Sequence, residues 1–139
     1  MSRGNALIID DEPDVAAYQG RVLSDHGWRV RIASGGDQGL ALALEETPDV
    51  ILLDLMMPGG RGGLNTFMEL RKNPRLTSIP VVFVTAYPEP DPEDLYNFLG
   101  RQKRLRPDAY LEKPVDPETL LATLEKVMDA LDQPSDNSP

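Results

Sequence analysis

The chain has 139 residues, 40% of them hydrophobic and 27% charged, which is the size and balance of one domain with a buried core. A net charge of −9 argues against a sequence-independent grip on nucleic acid or on an anionic membrane, since both need excess Lys and Arg. With no cysteine, disulfides, thiolate zinc sites and cysteine nucleophiles are excluded, and any bound metal must be held through oxygen.

The N-terminal residues Met1 to Asn5 lack a secretory apolar core, and no apolar run approaches the length that spans a bilayer. The reading is a cytoplasmic protein without direct membrane contact. Short Val/Ile/Leu runs predict strands at Ala6–Ile9, Trp28–Ala33, Val50–Leu53, Val81–Val84 and Ala109–Leu111. The first, third and fourth are apolar throughout, as central parallel strands covered on both faces must be. Between and after them, helical periodicity predicts helices over Val15–Asp25, Gly36–Glu46, Leu64–Lys72, Pro92–Leu105 and Pro117–Leu131. Two of these open with Asp-Pro-Glu, at Asp91 and Asp116, where the Asp accepts from free backbone N–H groups and proline suits the first helical position. In the last, Leu120, Leu124, Val127 and Leu131 form one apolar stripe flanked by Leu121 and Met128. Strands alternating with helices predict an α/β fold, a doubly wound five-stranded parallel sheet with helices on both faces. One domain is expected over residues 1–132, with a disordered tail over 133–139, which has no apolar anchor.

In such sheets ligands bind beyond the carboxyl ends of the strands, where strand order reverses. Asp10-Asp11, Asp54, Thr85 and Lys113 all fall at predicted strand ends. Carboxylates gathered there repel one another unless a hard cation joins them, and Mg²⁺ prefers such oxygen ligands together with a phosphate. The pattern points to Mg²⁺-assisted phosphoryl chemistry on Asp54. The plainer readings are that Asp10 and Asp11 cap the first helix, that Thr85 is an ordinary β-branched strand residue, and that Tyr110 is a half-buried aromatic. His26, before Gly27 at a helix end, reads as a terminator with no catalytic role.

The stretches Ile9-Asp10-Asp11-Glu12, Leu53-Asp54-Leu-Met-Met-Pro58, Val84-Thr85-Ala86 and Ala109-Tyr110-Leu-Glu-Lys113-Pro114 occur in one order and at matching spacings. Together they give a chain that resembles the receiver domains of two-component response regulators, from Leu7 to about Leu131. The resemblance implies a flavodoxin-like strand order 2-1-3-4-5. It also implies that Asp54 accepts a phosphoryl group from a phosphohistidine, forming an acyl phosphate. By the same resemblance Asp11, Asp54 and the backbone carbonyl of Met56 hold Mg²⁺, with Asp10 acting through a bound water. Lys113 supplies a cation to the phosphate, and Thr85 and Tyr110 form a coupled switch that reshapes the surface of the last two helices and the fifth strand. The Lys113-Pro114 bond is expected to be cis. The implied donor is a sensor histidine kinase or a histidine phosphotransfer protein. An unspecified output protein receives the signal, and a homodimer is left open.

Two stretches depart from the family pattern. After Pro58 the sequence runs Gly59-Gly-Arg61-Gly-Gly63, one residue longer than usual and with Arg in place of Asp. Between Thr85 and Lys113 several residues are added, including the proline-rich Tyr87–Pro92, which predicts a displaced or extended fourth helix. Arg101, Lys103, Arg104 and Arg106 read as a solvated helix end, with a docking patch as the sharper alternative. Rival functions are an Mg²⁺-dependent aspartyl-nucleophile phosphohydrolase and a phosphorylation-independent binding module. The first lacks its general acid, because Met56 stands two residues after Asp54, and the second leaves the full acceptor set unexplained.

Overall fold

Successive side chains of a strand point to opposite faces, so a run without polar residues needs cover on both sides. The computed structural model describes residues 4–55, 62–86 and 107–132, and it places the apolar runs in that position. Its elements are β1 (Gly4–Ile9), α1 (Pro13–Asp25), β2 (Trp28–Ala33), α2 (Gly36–Glu45), β3 (Val50–Leu53), α3 (Gly63–Lys72), β4 (Val81–Thr85), β5 (Ala109–Glu112) and α4 (Pro117–Asp132). All pairings are parallel and the sheet order is β2-β1-β3-β4-β5, the flavodoxin-like order that the resemblance implies. The expected helix over Pro92–Leu105, the cationic cluster within and after it, Tyr87–Pro92, Met56, most of the glycine-rich loop and the C-terminal tail lie outside the described residues.

The alternation divides each run between two cores. Ala6, Ile8, Val50, Leu52, Val82 and Val84 pack with Ala16, Leu23 and Trp28 and with Leu120, Leu124 and Val127 of α4. Leu7, Ile9, Ile51, Leu53, Val81 and Phe83 pack on the other face with Ala43 of α2 and with Phe67 and Leu70 of α3. Each fully buried Leu, Ile or Phe contributes about 1.5–3 kcal/mol relative to exposure, so these two layers hold the sheet. Leu131, expected in the α4 stripe, is instead 52% exposed.

Helix ends follow local chemistry. Asp116 precedes α4 and accepts from the Thr119 backbone N–H at 3.1 Å and from its hydroxyl at 2.6 Å. α1 starts at Pro13, two residues before the predicted Val15, because proline at the first helical position loses no hydrogen bond. His26 closes α1 as expected, and Gly27 adopts φ +93° just beyond it, a conformation that favours glycine. At the end of α2, Arg31 reaches from β2 and donates to the carbonyls of Leu42 (2.8 Å), which also accepts the Glu46 N–H, and of Glu46 (2.6 Å), which lies at the helix end where backbone acceptors lose their intrahelical donors.

Candidate functional site

Strand register determines what meets at the sheet's carboxyl edge. Ile9 pairs with both Ala33 and Leu53. The ladder continues one step, with Asp10 N–H donating to Ala33 O and Asp54 N–H to Ile9 O, each at 3.0 Å. Asp10 and Asp54 thus leave neighbouring strands side by side, each only 3% exposed. Two buried carboxylates this close need a counter-charge. Lys113, one residue after β5, supplies it. Its Nζ donates to Asp10 Oδ2 at 2.8 Å and to Glu12 Oε1 at 3.2 Å, and it lies 3.4 Å from Asp54 Oδ2. Burial pulls the Lys113 ammonium toward its neutral form, but the Asp10 hydrogen bond, the charges of Asp54 and Asp10 and the Glu12 hydrogen bond together hold its pKa above the ordinary value.

The segment carrying Lys113 is itself tethered. The Lys113-Pro114 bond is cis, as expected. The carbonyl of Val115 accepts from the Tyr18 hydroxyl of α1 at 2.9 Å, joining the loop after β5 to the first helix. On the acidic side, Asp10 Oδ1 accepts the Glu12 backbone N–H at 2.9 Å, which shapes the turn into α1.

One carboxylate oxygen each from Asp10, Glu12 and Asp54 lies within 4.8 Å of the others, a cluster that could hold a metal ion. Asp11 Oδ1 is buried with no hydrogen-bond partner among the described residues. A buried carboxylate oxygen without a donor is costly, and a divalent cation with oxygen preference satisfies it, so the donor set fits such an ion. Glu12 is the site residue that the sequence reading left without a role. Its only signal was its place after the acidic pair, which is equally that of an acid starting a helix.

Thr85 ends β4 opposite Glu112 of β5 in the strand register. Tyr110, half-buried in β5, stands edge-on to Phe83 with centroids 6.2 Å apart, and Phe83 is edge-on to Phe67 at 4.8 Å. Of the residues that the sequence analysis expected at one sheet edge, the structure brings Asp10, Asp54 and Lys113 into one cluster, sets Asp11 next to Asp10 in the turn after β1, and ends β4 at Thr85 beside β5.

A sequence profile of the response regulator receiver domain matches residues 6–125. The chain belongs to that family. This receiver domain is 38% identical over 122 residues to protein PilH of Pseudomonas aeruginosa, spanning 88% of the chain and 95% of PilH. It is 34% identical to the DNA-binding dual master transcriptional regulator RpaA of Synechocystis, over 91% of the chain but 50% of RpaA. Its fold matches the chemotaxis protein CheY4 of Vibrio cholerae with a TM-score of 0.78 at 28% identity, covering 91% of the chain and 98% of CheY4. The chain spans about half the length of several of the curated relatives it matches. Receiver domains are signalling phosphoacceptors of two-component systems, working between a phosphodonor and an output partner. No described helix is long and apolar enough to cross a membrane.

Proposed function

We propose that this receiver domain takes a phosphoryl group onto Asp54 from a phosphohistidine of a sensor kinase or phosphotransfer protein in the cytoplasm, and passes the signal to a separate surface. The observation that carries the reading is the convergence of Lys113 on Asp10 and Asp54 at the carboxyl edge of the sheet, with distances of 2.8 and 3.4 Å. An oxygen of the Asp54 carboxylate attacks phosphorus while the phosphorus–nitrogen bond to the donor imidazole breaks. The imidazole nitrogen leaves and the product is an acyl phosphate. Little covalent work is asked of the protein, so positioning and charge supply the catalysis. Lys113 offers N–H donors to the transferring oxygens, and Asp10 holds Lys113 in place.

Mg²⁺, when bound, neutralises charge on the phosphoryl oxygens and relieves repulsion among the acids. Asp11 and Asp54 would hold it together with the Met56 carbonyl, and Asp10 would act through a bound water. The buried Oδ1 of Asp11, which has no hydrogen-bond partner among the described residues, supports this assignment. Attack of water on phosphorus breaks its bond to the Asp54 oxygen, releases inorganic phosphate and returns the domain to rest; in this reading the protein assists its own dephosphorylation without acting as an enzyme on other substrates. A cavity of about 420 Å³ opens beside Lys113, lined by Glu12, Asp14, Val15, Tyr18, Pro114 and Val115. Thr85 and Tyr110 would carry the switch, the threonine hydroxyl engaging the new phosphoryl group and the ring of Tyr110 following.

Intact mass after incubation with acetyl phosphate and Mg²⁺ tests the reading. One phosphoryl adduct is expected on the wild type and none on Asp54→Asn. An adduct on both proteins would remove Asp54 from the role.

A further inference from the structure

An ammonium group has three N–H donors, and the three nearest acids at this site compete for those of Lys113. They are not equally able to let go. Asp10 has a side chain 2% exposed and both oxygens engaged, Oδ2 by Lys113 and Oδ1 by the backbone N–H of Glu12. Releasing Lys113 would leave a buried charge without compensation. Asp54 is the acceptor itself. Glu12 has a side chain 57% exposed, so water can replace Lys113 at its carboxylate. Its backbone is held by Asp10, so the side chain can swing away while the start of α1 stays where it is.

We infer that Glu12 is the exchangeable partner of Lys113, a carboxylate that holds the ammonium at rest and must release it before Lys113 can hold a phosphoryl group on Asp54. The inference rests on the proposed acceptor role of Asp54. In this reading Glu12 is a positioning residue that sets a resistance to phosphorylation. It occupies a donor that the phosphoryl oxygens need, and its negative charge stands where those oxygens arrive. Removing its charge therefore speeds adduct formation, whereas a residue with a merely structural role would slow it when changed.

The test compares the wild type, Glu12→Gln and Asp14→Asn. Asp14 is an exposed acid in the first turn of α1, so its substitution makes the same change in net charge close to the site, and no Lys113 contact is among its interactions. With acetyl phosphate and Mg²⁺, Glu12→Gln should form the adduct about two to five times faster than the wild type, the size expected for losing one partly exposed ion pair. Asp14→Asn should stay close to the wild-type rate. A second readout needs no phosphorylation: the ¹⁵N resonance of the Lys113 ammonium should shift in Glu12→Gln and remain in place in Asp14→Asn.

Adduct on the wild type with an unchanged or slower rate in Glu12→Gln overturns the inference and leaves the reading of Asp54 intact. Equal acceleration in both variants also overturns it, because net charge alone would then explain the effect. An unmoved Lys113 resonance in Glu12→Gln removes the pairing on which it is built. No adduct on the wild type sinks the reading of Asp54 and the inference with it.

Discussion

Gly63 opens α3 directly against the backbone carbonyl of Asp54. A β-carbon at Gly63 would overlap that oxygen and the Leu55 Cα, and its own N–H donates to Leu55 O at 3.1 Å. The obstructing atoms are main chain rather than a flexible side-chain end, so a side chain here must move either α3 or the turn that carries the acceptor. Gly63→Ala should lose about 1–3 kcal/mol in urea unfolding, as overpacking does, and should slow adduct formation on Asp54. Wild-type stability and rate together would mean that α3 shifts aside at little cost.

The residues that sequence reasoning found and missed differ in a physical way. Asp10 and Asp54 were legible because each directly follows a short apolar run, and a charge at the end of a buried strand has few structural reasons to be there; Lys113, which follows Glu112, was legible through the motif Ala109–Pro114 that the resemblance rests on. Glu12 was not, because an acid at a helix start is favourable in any protein. Arg71 was not either. A cation in the last turn of a helix ordinarily serves the dipole, yet this one turns inward with a side chain only 5% exposed. The stripe of α4 read correctly through Leu120, Leu124 and Val127 but not at Leu131. There the helix borders a cavity of about 530 Å³ shared with Asp108 and Ala109, the entry to β5. Periodicity shows which face of a helix is apolar, and not how far the sheet beneath it extends.

Arg71 carries a stability prediction of its own. Its guanidinium donates to the carbonyls of Thr77 and Ile79 (3.3 and 2.7 Å), pairs with Asp108 at 3.2 Å and lies over the Phe67 ring at 4.8 Å. Burial lowers its pKa from the ordinary value, with the charge and hydrogen bond of Asp108 opposing. Asp108 in turn accepts the Val81 N–H at 2.8 Å, so one cation ties the end of α3 to the entries of β4 and β5. Arg71→Met keeps the apolar stem but leaves those acceptors without their donor. A loss of roughly 2–4 kcal/mol in chemical denaturation is expected. A loss near zero would mean that water replaces the guanidinium fully.

Lys113→Met should destabilise the metal-free protein by roughly 2–4 kcal/mol at pH 8, because Asp10 and Asp54 keep their charges and lose their counter-ion. The sign of the pH dependence follows from the raised pKa. The folded state binds this proton more tightly than the unfolded chain, so the stabilisation is complete below the ordinary value of 10.5 and is lost as pH rises through the higher folded value. Urea unfolding of both proteins between pH 8 and pH 12 would check this. The gap between them should be constant up to the ordinary lysine value and close above it, and a gap that closes at lower pH would contradict the raised pKa.

Divalent metal provides the last prediction, and it is independent of phosphorylation. A ligand that binds only the folded state stabilises by RT ln(1 + [L]/Kd), so Mg²⁺ at about ten times its Kd should add roughly 1.4 kcal/mol, readable as a rise in thermal midpoint that excess EDTA reverses. The affinity would come from relieving the acidic edge and, on the proposed ligand set, from satisfying Asp11 Oδ1, which has no donor among the described residues. Asp11→Asn keeps the shape but removes the charge, so it should abolish most of the Mg²⁺ shift. Its metal-free stability should equal or exceed that of the wild type, because one repelling carboxylate is gone. A full Mg²⁺ shift in Asp11→Asn would move the metal onto Asp10, Glu12 and Asp54, whose oxygens lie within 4.8 Å of one another, and would take Asp11 out of the ligand set.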